Sequence, residues 1–283
     1  MTYSPFVSCE ELNRHLDDPE WAILDCRYSL ADPQWGRKQY KLRHIPGAVY
    51  VHLDQDLCGP IIPGKTGRHP LPDVSSARAT FSRLGIASGV QVVAYDDRRD
   101  GGSAVAARLW WTLRWLGHPT VTILDGGWGL WREQNRLVRF KADSRLARDF
   151  TPNPQEDMLL DADDVERIRL DREFRLLDSR SADRYRGERE PIDSVAGHIP
   201  GAVSSPYESI FNQQGCFRER QDLREHFSRS LDGIPGERAV FYCGSGVTAA
   251  YNLAALEYAG LGRAKLYAGS WSEWITDPER PCT

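Results

Sequence analysis

The sequence predicts an α/β protein of two tandem domains, each a mostly parallel sheet flanked by helices on both faces. Three observations lead there: a long internal repeat, short apolar segments alternating with amphipathic ones, and a globular composition. The repeat is explicit. Ile23-Leu24-Asp25-Cys26-Arg27 returns as Leu176-Leu177-Asp178-Ser179-Arg180, and His44-Ile45-Pro46-Gly47-Ala48-Val49 returns unchanged at His198–Val203. Val93–Asp96 aligns with Val240–Cys243, and Gly126-Gly127-Trp128 with Gly269-Ser270-Trp271. The offsets drift from 153 and 154 to 147 and 143. A period near 150 residues means tandem domains, because solenoid repeats are about 20–50 residues long. The expected division is 1–142, a linker at 143–157, and 158–283. Thr151-Pro152-Asn153-Pro154 inside the linker favours extended backbone.

Each unit is read in the same order. Ser8-x-x-Glu11 and Asp161-x-x-Asp164 are capping-box starts to short helices. Trp21–Asp25 and Arg175–Asp178 are short buried strands, and Val92–Tyr95 and Ala239–Tyr242 are apolar runs of strand length closed by glycine-containing turns. Helices follow. Val105, Leu109, Leu113 and Leu116 share one face, as do Val247, Tyr251, Ala254 and Tyr258. Val121–Leu124 and Lys265–Tyr267 then return as strands. Strands alternating with helices imply parallel sheets covered on both faces. Trp110, Trp111 and Trp115 at helical spacing, and Trp128, Trp131, Trp271 and Trp274 in the repeat, are read as core and interdomain packing.

Composition removes several functions. Lys plus Arg number 36 and Asp plus Glu 40, so the net charge of −4 argues against nucleic acid or anionic lipid as the main partner. No apolar run approaches the ~18 residues of a membrane span, and the N-terminus lacks a basic and apolar signal pattern. The expectation is a cytoplasmic protein. Its six cysteines, at 9, 26, 58, 216, 243 and 282, have no zinc-site spacing and are read as reduced thiols. No dinucleotide fingerprint, P-loop or metal motif is present, so neither a cofactor nor a metal is expected.

One cysteine stands apart. Cys243 ends the strand Ala239–Tyr242 and opens Gly244-Ser245-Gly246-Val247-Thr248, which leads into a helix. Ligands of open α/β sheets bind at the carboxyl ends of strands. Two glycines let backbone N–H groups turn inward, and with the helix N-terminus they favour thiolate. A phosphatase of the C-x5-R type needs an arginine where this chain has Ala249, so phosphate-ester hydrolysis is disfavoured.

The loop Cys243–Thr248 resembles the active loop of the rhodanese family of sulfurtransferases, in its 3-mercaptopyruvate sulfurtransferase form. The tandem arrangement and both His-Ile-Pro-Gly-Ala-Val blocks extend the resemblance over the whole chain. It implies that Cys243 takes a sulfane sulfur from a small donor, 3-mercaptopyruvate or thiosulfate, and passes it to a thiol, such as that of a thioredoxin-like protein, or to cyanide. Gly244, Gly246, Val247 and Thr248 would cradle the donor. Asp96 stands at the equivalent position of the first domain, which would make that domain catalytically silent. A carrier or interaction protein with little activity on small donors is the alternative of another class.

The resemblance assigns further residues. Arg184 matches a substrate-binding arginine. A second arginine is expected after Glu190-Pro191, where this chain has Ile192, so either Arg189 or Arg186 would substitute or carboxylate binding would be weaker. Ser245 and His69 match two members of a Ser–His–Asp arrangement, and Asp56 matches the third, with Asp54 nearby. His44 and His198, present in both units, are expected to stabilise turns. Thiosulfate-using relatives resemble Cys-Arg-Lys-Gly-Val-Thr. With Gly244 and Ser245 in place of two cations, only backbone dipoles are expected to face the donor, and mercaptopyruvate should be preferred over thiosulfate by at least ~100-fold.

Overall fold

The computed structural model describes residues 4–98 and 103–283. It contains two five-stranded, wholly parallel sheets. In the first, β1 (Phe6–Val7), β2 (Trp21–Asp25), β3 (Val49–Tyr50), β4 (Gln91–Tyr95) and β5 (Val121–Leu124) lie in the order β1-β5-β4-β2-β3. The second repeats it with β6 (Leu159–Leu160), β7 (Arg175–Asp178), β8 (Val203–Ser204), β9 (Ala239–Tyr242) and β10 (Lys265–Tyr267), ordered β6-β10-β9-β7-β8. The two-residue edge strands are too short to leave a periodic signal. The longer ones match the sequence reading, with β4 starting one residue earlier.

Capping follows the sequence as well. The Ser8 hydroxyl accepts the Glu11 N–H, and Asp161 with Asp164 forms a reciprocal capping box. The two caps start helices of six and seven residues, each with two buried apolar side chains.

The two cores share one unusual device. At the end of β2 the Arg27 guanidinium donates to both oxygens of Asp25 and lies 4.4 Å from the centre of the Trp128 ring. At the end of β7, Arg180 repeats this with Asp178, lying 4.8 Å from the Trp271 ring. All of these side chains are buried. A buried ion pair loses much of its Coulombic gain to desolvation, so each pair is kept tolerable by its bidentate geometry and a further carbonyl acceptor, of Arg43 or Gly197. The seven tryptophans singled out above are all buried. His44 Nδ1–H donates to the Tyr40 carbonyl (2.7 Å) and the imidazole stacks on that ring, and His198 does the same with Tyr185 (2.8 Å).

The compact units do not follow a single cut of the chain. One contains the chain up to Cys58, Pro72–Gln155 and Gln213–Phe217; the other contains Gly59–Leu71, Glu156–Asn212 and Arg218–Thr283. The first repeat therefore lends 59–71 to the second unit. This segment is held there at close range. A Cβ on Gly67 would lie 2.6 Å from the Gly269 carbonyl oxygen, and the Arg68 N–H donates to Ser272 Oγ at 3.1 Å.

Candidate active site

The site begins where β9 stops. Tyr242 is the last ladder residue, Cys243–Thr248 form the loop, and the next helix runs over Ala249–Tyr258. Gly246 adopts a left-handed φ of 70°, and a Cβ there would come within 2.3 Å of the Ala268 carbonyl oxygen, so the position requires glycine. The loop is anchored from outside. The Cys243 carbonyl accepts the Trp271 N–H (3.0 Å), the Gly244 carbonyl accepts the Ser272 N–H (3.0 Å), and the Cys243 N–H donates to Ser270 Oγ (3.1 Å). Ser270 holds a left-handed φ of 56°, unusual for a residue with a Cβ. Its hydroxyl donates to the Tyr267 carbonyl at 2.9 Å. The sequence reading did not single out Ser270; its place in the Gly-x-Trp block was the available signal.

Cys243 is only 2% exposed. Burial alone would push its thiol up, but the Thr248 hydroxyl and the N–H groups of Ser245, Ala249 and Val247 outweigh it, and the pKa falls below the ordinary thiol value. Of the residues expected to form the cradle, Val247 and Thr248 donate toward the sulfur, joined by Ser245 and Ala249. Other cysteines go the opposite way: burial pushes Cys9 and Cys58 up to about 12, and raises Cys26 and Cys282 as well. Cys243 alone among these has its pKa lowered.

Ser245 and His69 come together. Their side chains, both buried, place Ser245 Oγ 2.7 Å from His69 Nδ1. His69 reaches the loop because residues 59–71 belong to the same unit as Cys243. Asp56 belongs to the other unit, where its carboxylate accepts the His52 N–H at 2.8 Å and pairs with Arg83. Asp54, the nearby alternative, accepts the Tyr28 hydroxyl at 2.9 Å.

Arg184 lies over the loop. Its Nη1 is 3.5 Å from the point where a Cβ on Gly244 would sit, while Nε and Nη2 donate to Glu190 and Nη2 also to Asp193. Arg189 does not join it. That side chain is 64% exposed and donates to Asp183 at 2.7 Å, and Arg186 pairs with Glu188 on the surface. Both point outward because each has a nearer acidic partner within six residues. The cation that does approach is Arg68, whose Nη2 is 2.8 Å from the same Gly244 point. Arg68 was passed over in the sequence because its neighbour His69 matched the family pattern and it did not. Its presence corrects the expectation that only backbone dipoles face the donor.

The rhodanese-like domain family matches the chain twice, over residues 8–134 and 161–277. The chain belongs to the rhodanese family. It is 43% identical over 282 residues to a Pseudomonas aeruginosa protein named "Probable 3-mercaptopyruvate sulfurtransferase", covering 99% of this chain and 98% of that one. A Mycobacterium tuberculosis protein with the provisional name of thiosulfate sulfurtransferase is 40% identical, covering 92% of this chain and 89% of its own. Among solved structures, the 3-mercaptopyruvate sulfurtransferase of Leishmania major superposes with a TM-score of 0.83 at 30% identity, covering 98% of this chain and 75% of that one. This rhodanese is accordingly a sulfurtransferase enzyme.

The first rhodanese unit carries the counterpart loop with different contents. Asp96 follows β4, and its carbonyl accepts the Trp128 N–H at 2.9 Å, as Cys243 does with Trp271. Its carboxylate accepts the N–H groups of Val105 (2.7 Å) and Ala106 (2.8 Å) at the start of the Ala106–Trp115 helix. The helix N-terminus that could face a thiolate is filled by a carboxylate from the chain itself.

Proposed function

We propose that this protein moves a sulfane sulfur from 3-mercaptopyruvate to a thiol, or to cyanide, through a persulfide on Cys243. The observation that carries the reading is the buried Cys243, surrounded by donors that lower its pKa, with a hydroxyl–imidazole pair that starts two residues along the loop at Ser245. In the first step the thiolate attacks the donor's sulfur and the donor's carbon–sulfur bond breaks. The electron pair of that bond leaves on carbon, as the enolate of pyruvate, and Cys243 becomes Cys–S–SH. The enolate takes a proton and departs as pyruvate. Ser245, hydrogen-bonded to His69 Nδ1, is the group we assign to supply or relay that proton. In the second step an acceptor thiolate attacks the outer sulfur and Cys243 returns to thiolate. A thioredoxin-like thiol suits this step chemically.

Arg184, whose Nη1 lies over Gly244, suits the donor's carboxylate. We do not assign Asp56 a chemical step, because its carboxylate is already occupied by the His52 N–H and Arg83. Thiosulfate is the second donor, since Arg68 joins Arg184 beside the loop. All six cysteines are free, which fits a reducing compartment, and we place the reaction in the cytoplasm. No helix among the described residues is long and apolar enough to cross a membrane.

Pre-incubation with each donor followed by intact-mass measurement tests the reading. Gain of one sulfur atom from 3-mercaptopyruvate, with pyruvate released in equal amount, is the expected result. Gain from a partner protein's persulfide but from neither small donor would replace it with a carrier role.

A further inference from the structure

The two repeats differ in a polar pair that the sulfur chemistry does not use. In the first unit Leu124 ends β5 and Leu130 lies on the helix Gly127–Glu133. Leu124 belongs to the apolar core and Leu130 packs against it. The aligned residues of the second unit, at the offset of 143, are Tyr267 at the end of β10 and Glu273 on the helix Ser270–Trp274. Leu130 crowds the point where a Cβ on Gly126 would sit, and the Glu273 carboxylate crowds the same point on Gly269. The fold needs only apolar bulk here, yet the second unit supplies a hydroxyl and a carboxylate. The Tyr267 side chain is fully buried, and its hydroxyl is turned toward Glu273 without closing a hydrogen bond among the described residues. A buried hydroxyl left in that state is costly. The Glu273 carboxylate forms no ion pair among the described residues, because Arg280, whose charge reaches it, turns Nη2 to Asp163 (3.0 Å) and Nε to Asp277 (3.8 Å). Burial pushes the Glu273 carboxyl above its ordinary range, as expected of an acid without a close cation.

Glu273 lines a cavity of about 310 Å³ together with Glu156, Asp161 and Asp164. No lysine, arginine or histidine lines it, and Leu71, Leu159 and Leu160 give it an apolar wall. None of residues 243–248 takes part, so the cavity is separate from the sulfur site. The acids are not equally available. Asp164 accepts the Asp161 N–H on one oxygen (3.1 Å) and pairs with Arg167 through the other. Asp161 accepts the Asp164 N–H on Oδ1 (2.7 Å) and keeps Oδ2 for a further donor. The open acceptors therefore come from separate side chains. An ammonium group, with three divergent N–H donors, matches that arrangement better than the planar fork of a guanidinium.

We propose that this cavity is a binding site for a small primary ammonium compound with a short apolar stem. Glu273 is its counter-ion, Asp161 Oδ2 is a second acceptor, and the Tyr267 hydroxyl orients the Glu273 carboxylate. The stem lies against Leu71, Leu159 and Leu160.

The test titrates the full-length protein with n-butylammonium chloride, read by calorimetry and by thermal shift. Saturable binding with a Kd of ~1–10 mM is expected for a ligand of about five non-hydrogen atoms. The uncharged n-butanol, of similar shape, should bind at least ~10-fold more weakly. Glu273→Gln should weaken n-butylammonium by about tenfold or more, and Glu273→Leu, which installs the first unit's residue, should abolish binding. Asp161→Asn keeps a residue able to cap the helix and should cost about threefold, as should Tyr267→Phe. Cys243→Ser should bind n-butylammonium as the unaltered protein does, which tells this site from the sulfur site. Equal affinity for n-butanol would make the cavity an apolar hollow and overturn the proposal. Unchanged affinity in Glu273→Gln, or no saturable binding below ~50 mM, overturns it as well. Should Glu273→Gln fail to fold, Asp161→Asn and the n-butanol comparison decide.

Discussion

The two loops at the ends of β4 and β9 are one design with two contents. Each follows a central strand, each has its first carbonyl held by a tryptophan N–H, and each faces the start of a ten-residue helix. In the first, the helix amides already hold the Asp96 carboxylate at 2.7 and 2.8 Å. In the second, the amides of Ser245, Val247 and Ala249 surround the Cys243 sulfur and hold its pKa below the ordinary thiol value. The helix also starts sooner, at Ala249 after Cys243, against Ala106 after Asp96. A helix N-terminus thus stands near both strand ends, occupied by the chain's own carboxylate in the first unit and by the Cys243 loop in the second. A carboxylate there serves stability, whereas a thiolate serves chemistry.

The largest effect should come from removing the reactive member. Cys243→Ser should lower sulfur transfer by at least about a thousandfold with little change in melting temperature, since serine fills the same space but cannot carry a sulfane sulfur. Ser245→Ala should come next. With 3-mercaptopyruvate, kcat should fall by roughly a hundredfold because the departing enolate loses its proton source, while thiosulfate, whose leaving group is sulfite, should be nearly unaffected. Equal losses with both donors would assign Ser245 to the cradle alone.

Asp96→Ala sharpens the contrast from the other side. It strands the Val105 and Ala106 N–H groups in a buried place and should cost about 1–3 kcal/mol in a denaturant titration, with sulfur loading on Cys243 retained. Thr248→Val should give the smallest effect. Losing the hydroxyl that favours thiolate raises the Cys243 pKa, so the alkylation-rate profile should move to higher pH, by up to about one unit. In the unaltered protein that profile should level off below the pH of an ordinary thiol, because a lowered pKa places thiolate formation earlier on the rising pH axis.

Much of this was readable in the residues. The repeat, the central strands and the Cys243–Thr248 loop announce themselves through apolar runs and glycine spacing, which are local properties. The edge strands Phe6–Val7 and Leu159–Leu160 do not, because two residues carry no period and pairing with β5 and β10 is what defines them. Helices such as Trp35–Leu42 and Arg220–Leu231 were likewise missed, their sequences being dominated by polar residues. At the site, Ser245 and His69 were found by pattern, and the structure adds their 2.7 Å contact. Arg68 was not found because its approach to Gly244 depends on residues 59–71 packing into the second unit, a long-range event with no local trace. Arg189 failed for the converse reason: proximity in sequence to Arg184 says nothing of direction, and Asp183 draws it outward.

The central claim is that one cysteine holds the transferred sulfur. Cleavage after Arg238 and Arg263 releases a peptide, residues 239–263, in which Cys243 is the sole cysteine. After one equivalent of 3-mercaptopyruvate and no acceptor, mapping by mass under non-reducing conditions should find one additional sulfur on that peptide and none on those bearing Cys9, Cys26, Cys58, Cys216 or Cys282. Addition of a thiol should remove it. Sulfur located on any other cysteine, or an unmodified 239–263 peptide beside released pyruvate, would contradict the account.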